Sequence, residues 1–155
     1  MAWLRAISST SAAAGCTSGT EAGGRGHVGA LDCRLQALRS TAALAHCSSS
    51  QLRSLLRYVD EVAVPAGCRL AVEGRPCSQF VIVTEGRLRT DSLRGESRTL
   101  RAGDCWGWNA MWERSLNDAT VVVESDARLL VMGHAQFRAA KAVASRRQLV
   151  PGQPA

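Results

Sequence analysis

From Leu31 onward, apolar residues recur every three or four positions. Leu31, Leu35, Leu38, Ala42 and Ala45 fall on one helical face. His46-Cys47-Ser48 breaks that period. Ser48-Ser49-Ser50-Gln51 then has the form of a capping box, in which Ser48 accepts from the N3 amide and Gln51 reaches back. Leu52, Leu55, Leu56 and Val59 give a second, short helix its apolar stripe. After Asp60 the period changes to two. Val62 and Val64 alternate with Glu61 and Ala63, and Pro65-Ala66-Gly67 turns the chain. Cys68, Leu70 and Val72 alternate next, and Glu73-Gly74-Arg75-Pro76 turns again. Phe80, Ile82 and Val83 lead to Glu85-Gly86, after which Leu88, Thr90 and Ser92 alternate with Arg87, Arg89 and Asp91. Arg94-Gly95-Glu96 predicts a hairpin tip, and Thr99-Leu100 leads to Ala102-Gly103-Asp104. One helical interruption falls between Asp104 and Thr120. Residues 120–124 and 128–132 read as the last two strands, and Phe137, Ala140 and Val143 as a terminal helix. About eight short strands, punctuated by turns at roughly 8–12-residue intervals, predict a mainly β fold. The expected architecture is a jelly-roll (double-stranded β-helix) barrel with flanking N- and C-terminal helices.

The ends differ from this pattern. Residues 1–30 are small and aperiodic, as in Ser8-Ser9-Thr10-Ser11 and Gly23-Gly24-Arg25-Gly26, and are expected to be a disordered tail. The segment lacks acids until Glu21, as transit peptides do, and Ala13-Ala14-Gly15-Cys16 is similar to the end of a lipoprotein signal. Arg5 and the Ser/Thr run interrupt the apolar stretch such a signal needs, so a plain tail or a misplaced start is expected. The domain is assigned to 31–149, with 150–155 as a second tail.

Composition narrows the function classes. The chain has 155 residues, 46% hydrophobic and 21% charged, which excludes wholesale disorder and allows one ordinary domain. No window approaches ~20 consecutive apolar residues, so no membrane span is expected. Lys141 is the only lysine among 19 basic residues, an arginine bias that points to GC-rich coding and a bacterial source. The +6 net charge is therefore not read as a nucleic-acid signal. The six cysteines stand singly, without the close pairs of a zinc or iron–sulfur site, and are expected to be reduced thiols in the cytoplasm. His27, His46 and His134 are not spaced for a metal, and His134 reads as a cap or surface residue. No nucleophile–base set with motif context appears, nor a Gly-Lys-Ser/Thr phosphate loop, so the chain is not expected to be an enzyme.

Five segments, taken in order, carry more information. They are Val64-Pro65-Ala66-Gly67, Glu73-Gly74, Phe80-Val81-Ile82-Val83-Thr84-Glu85-Gly86, Gly103-Asp104-Cys105-Trp106-Gly107 and Ala119-Thr120-Val121. Their sequence and spacing resemble the cyclic-nucleotide-binding domain, the module of catabolite activator protein and of the protein kinase A regulatory subunit. The resemblance runs from about Leu38 to Ala140. It implies a ligand cradle in which a short helix and its approach loop present backbone amides to a cyclic phosphate. The family's motif is Phe-Gly-Glu followed by Pro-Arg-Ala-Ala-Thr, the Glu accepting from the ribose and the Arg pairing with phosphate.

Here the matching segments are Trp106-Gly107-Trp108-Asn109-Ala110-Met111 and Leu116-Asn117-Asp118-Ala119-Thr120. Gly107 and Thr120 keep their places. Trp108 stands for the Glu and Asn117 for the Arg, with Asp118 beside it. The candidate cassette is Gly107, Trp108, Asn109, Ala110, Arg114, Asn117, Asp118, Ala119 and Thr120. Losing one buried charge pair costs about 2–5 kcal/mol, or about 30- to 4000-fold in affinity.

The expectation is a stand-alone regulatory module without tight cyclic AMP or cyclic GMP binding, acting through a protein partner or an atypical ligand. One alternative is a working cyclic AMP or cyclic GMP sensor in which Arg114 supplies the charge. Another is the remnant of a transcription regulator that lacks its DNA-binding domain. Only 18 residues follow Phe137, too few for a helix-turn-helix, so no nucleic-acid partner is expected. A homodimer through a helix over 136–149 is a further expectation. Trp106, Trp108 and Trp112 are open to three readings: filling the nucleotide's space or packing the barrel mouth, lining a pocket for a flat apolar ligand, or forming an aromatic hot spot for a partner.

Overall fold

The computed structural model describes residues 26–145. Most of the expected 1–30 tail lies outside the described residues, as does everything beyond Ser145. The chain opens with α1 (Gly26–Ser40), which begins ahead of the expected boundary at Leu31. The helical period to Ala45 does not give one continuous helix. Thr41 is buried and extended (φ −75°, ψ 118°), and its Oγ1 donates to the Ala37 carbonyl at 2.8 Å. A β-branched residue that bonds back to the preceding turn ends α1 there, and a short 3₁₀ turn follows over Ala42–Leu44. α2 (Ser49–Leu55) starts at the expected capping box. Ser48 Oγ accepts from the Gln51 amide at 3.3 Å, and Gln51 Oε1 accepts from the Ser48 amide at 2.8 Å.

Six strands follow: β1 (Asp60–Val64), β2 (Arg69–Ala71), β3 (Gln79–Asp91), β4 (Ser97–Leu100), β5 (Cys105–Trp106) and β6 (Thr120–Gly133). The helix α3 (Trp108–Glu113) lies between β5 and β6, and α4 (His134–Ser145) follows β6 directly. All pairings are antiparallel. The sheet runs β1-β6-β3-β4, with β2 also on β6 and β5 also on β3.

The count is six rather than eight because Glu85-Gly86 and 124–128 do not end strands. Gly86 (φ 85°) lies against the Asp126 carbonyl and Ala127, too close for any side chain. Its glycine serves a close strand approach at an irregular register between β3 and β6, and both strands continue past it. The hairpin tip is as expected, with the Ser92 amide donating to the Glu96 carbonyl at 2.8 Å.

Period two then divides the interior. Val81, Val83, Leu129 and Val131 face the barrel, joined there by Val64, Leu88, Leu100, Val121 and Val123. Phe80, Ile82, Leu130 and Met132 face the other way, onto Leu38, Leu52, Leu55 and Phe137 of the helices. The middle of β3 and of β6 is therefore buried on both faces, which explains their unbroken apolar runs.

Candidate functional site

The cassette begins where β5 pairs with β3, Trp106 opposite Val81. Gly107 then turns the chain into α3 at φ 86°. A Cβ there would sit 2.5 Å from the Gln79 carbonyl oxygen, so the turn requires glycine. α3 ends at Arg114, which is left-handed (φ 57°, ψ 41°) and is the only positive-φ residue other than glycine among the described residues. The return segment is clipped to the 74–77 loop. The Cys77 amide donates to Ser115 O at 3.2 Å, the Asn117 amide to Arg75 O at 2.8 Å, and the Gly74 amide to Asn117 O at 2.9 Å.

The three tryptophans diverge from this frame. Trp106 packs against the barrel core, with its indole Nε1 buried and unpartnered. Trp108, in the place of the family's Glu, turns toward the helices. It meets Phe80 edge-on at 5.2 Å and Phe137 at 5.1 Å, and stacks on Trp112 at 5.8 Å. Trp112 is 41% exposed, and Lys141 Nζ lies 3.5 Å above its ring. The cluster thus divides among a barrel wall, a core residue and a surface residue.

The remaining candidates separate as well. Asn117, in the place of the Arg, is 6% exposed. Its Nδ2 donates to Val72 O at 3.1 Å, and its Oδ1 is buried without a partner. Ala119 is buried, and Thr120 Oγ1 accepts from the Glu73 amide at 3.2 Å. Asn109 is exposed and Ala110 half-buried.

Three spaces surround the segment. The first is inside the barrel, bounded by Leu70, Gln79, Leu88, Trp106, Asn117 and Val121, with a volume of about 20 Å³. That holds about one water, whereas a ligand of drug size needs a space of roughly 300–1,000 Å³. No charged residue lines it. The second is an open groove of about 760 Å³ that reaches Trp106 from outside. Gly107, Trp108, Asn109, Ala110 and Leu116 line it, with the carboxylates of Glu113 and Asp118. The third, about 400 Å³, is lined by Arg114, Ser115, His134 and Arg138 with Pro76, Met111 and Phe137. Arg114 therefore borders a different space from Asn117. Sequence reasoning set His134 aside and did not single out Arg138. Their i, i+4 spacing on α4 was the signal that could have joined them.

The thiols nearby are not activated. Burial pushes the Cys77 thiol above its ordinary 9.0 and the Asp118 carboxylate adds to this, opposed by the Gln79 backbone. Burial likewise raises Cys105. Both are neutral, weakly nucleophilic thiols at pH 7. Among the described residues no group of three His, Cys, Asp or Glu side chains could hold a metal, and no helix is long and apolar enough to cross a membrane.

Comparison with known proteins bears on this geometry. The family described as "Cyclic nucleotide-binding domain" matches residues 61–142, just over half of the chain. Among solved structures, the regulatory domain of Toxoplasma gondii PKA co-crystallised with cAMP superposes with a TM-score of 0.66 at 24% identity, covering 78% of this chain and 49% of that one. A cyclic nucleotide-binding-like protein from Brucella abortus gives 0.61 at 18% identity, covering 70% and 97%. The N-terminal domain of a transcriptional regulator from Streptomyces coelicolor A3(2) gives 0.59 at 24%, covering 72% and 80%. The chain spans about half the length of the first of these. These likenesses establish the jelly-roll fold. No curated protein matches the sequence.

Proposed function

This chain belongs to the cyclic-nucleotide-binding domain family, and from that premise we propose that it is a regulatory binding module, not an enzyme, whose barrel takes up neither cyclic AMP nor cyclic GMP tightly. The observation that carries this is the barrel space of about 20 Å³ between Trp106 and Asn117. A nucleotide would have to displace the indole and leave its phosphate facing Asn117 and the barrel's apolar wall, with no cation lining the space. An unpaired buried charge is far costlier than a lost contact.

The module then works through a protein partner, at the groove along α3. Leu116 (55% exposed) and the partly exposed Trp106 and Trp108 give that groove an apolar floor, and Glu113 and Asp118 have no ion-pair partner among the described residues. The complementary partner is a segment with arginine or lysine among apolar residues. Cys33, Cys68, Cys77 and Cys105 carry free thiols, which supports a cytoplasmic setting.

The test is thermal unfolding of the full chain with millimolar cyclic AMP or cyclic GMP. A ligand at 100 times its Kd stabilises by about 2.7 kcal/mol, and each kcal/mol moves the midpoint by about 2–4 °C in a domain near this size. No shift is expected with either nucleotide. A rise of several degrees with one of them would overturn the proposal in favour of a working sensor.

A further inference from the structure

The third groove plays no part in that function. Its polar rim is Arg114, His134, Arg138 and Ser115, and no acidic residue lines it. All three basic side chains are exposed, and none has an ion-pair or hydrogen-bond partner among the described residues. Four of the five arginines on the sheet differ, since Arg87, Arg89, Arg98 and Arg128 each face a carboxylate, and only Arg69 of β2 does not. The rim comes from two elements. Arg114 is the left-handed cap of α3, a conformation that favours glycine, and the chain nevertheless places a guanidinium there. His134 and Arg138 lie one turn apart on α4, whose first turn holds no acid to oppose an anion. Below the rim, Pro76, Met111 and Phe137 form an apolar floor, and the volume of about 400 Å³ admits a small organic molecule.

We propose that this groove binds a small phosphate monoester carrying an apolar group. Two guanidiniums and an imidazole, presented from two helices, offer donors in several directions. That suits the three free oxygens of a phosphate monoester better than a planar carboxylate. The apolar group lies on Pro76, Met111 and Phe137. The site is separate from the barrel space: Cys77 is a wall common to both, and its raised pKa leaves it a neutral thiol that does not oppose the anion.

The test is calorimetric titration of the full chain with phenyl phosphate, inorganic phosphate and benzoate. Phenyl phosphate is expected to bind at one site, about tenfold more tightly than either of the others. Arg138→Ala and Arg114→Gly are each expected to weaken it by roughly tenfold or more. Arg53→Ala, which removes the same charge from exposed α2, leaves it unchanged. The glycine suits the left-handed backbone at 114, so that variant isolates the guanidinium from the fold. Absence of saturable binding, or equal losses in all three variants, would overturn the site. Benzoate binding as tightly as phenyl phosphate would overturn the phosphate assignment. Inorganic phosphate binding as tightly would overturn the role of the apolar floor.

Discussion

Trp106 and Trp112 stand six residues apart, and they belong to two different surfaces. Trp106 walls a barrel space of about 20 Å³ that no charged side chain reaches. Trp112 lies at the surface under Lys141, on a helix whose neighbouring grooves hold about 760 and 400 Å³ and carry opposite charge. In this chain, room for a ligand lies outside the barrel. The acidic groove follows the start and solvent side of α3, and the basic groove follows its end and α4.

The largest expected effect breaks the closed side. Gly107→Ala puts a methyl group against the Gln79 carbonyl in a left-handed conformation. It should cost about 3–5 kcal/mol in urea unfolding. A loss under 1 kcal/mol would mean that the barrel mouth yields easily and that its closure is soft. Trp106→Ala comes next. It joins the barrel space to the 760 Å³ groove, because the indole is a wall of both. About 3 kcal/mol should be lost, and indole added at millimolar concentration should restore part of the melting temperature. The smallest effect belongs to the open side. Trp112→Ala removes the Lys141 contact and one edge of the stack on Trp108, for about 0.5–1 kcal/mol by the same unfolding measurement. Equal losses from Trp106→Ala and Trp112→Ala would erase the contrast between the two surfaces.

Much of this architecture was legible because local chemistry decided it. The capping box at Ser48 and Gln51 and the period-two runs of β3 and β6 follow from backbone hydrogen bonding and two-sided burial. Gly86 misled because a glycine that admits a neighbouring strand has the same sequence signature as one that turns the chain. Asn117, which the sequence sets in the place of the family's Arg, lines the barrel space. The direction of each tryptophan was not legible. Whether position 106 or 108 faces the barrel depends on the left-handed turn at Gly107 between them, and no residue spacing encodes that rotation. The joining of Arg114 to Arg138 was hidden because it requires α4 to pack beside α3, with β6 between them in the chain.

β6 pairs with β1, β2 and β3 alike, and Asp60 faces Val131 across the sheet. A ribosome releases those three strands well before their common partner. Until residues 120–133 emerge, only β4 and β5 can pair with β3, β1 and β2 have no partner strand, and both oily faces of β3 wait in water. Assembly of the barrel therefore waits for β6, paced by long loop closures and not by local folding. The interval before it is when this protein is most exposed to aggregation and most in need of a chaperone.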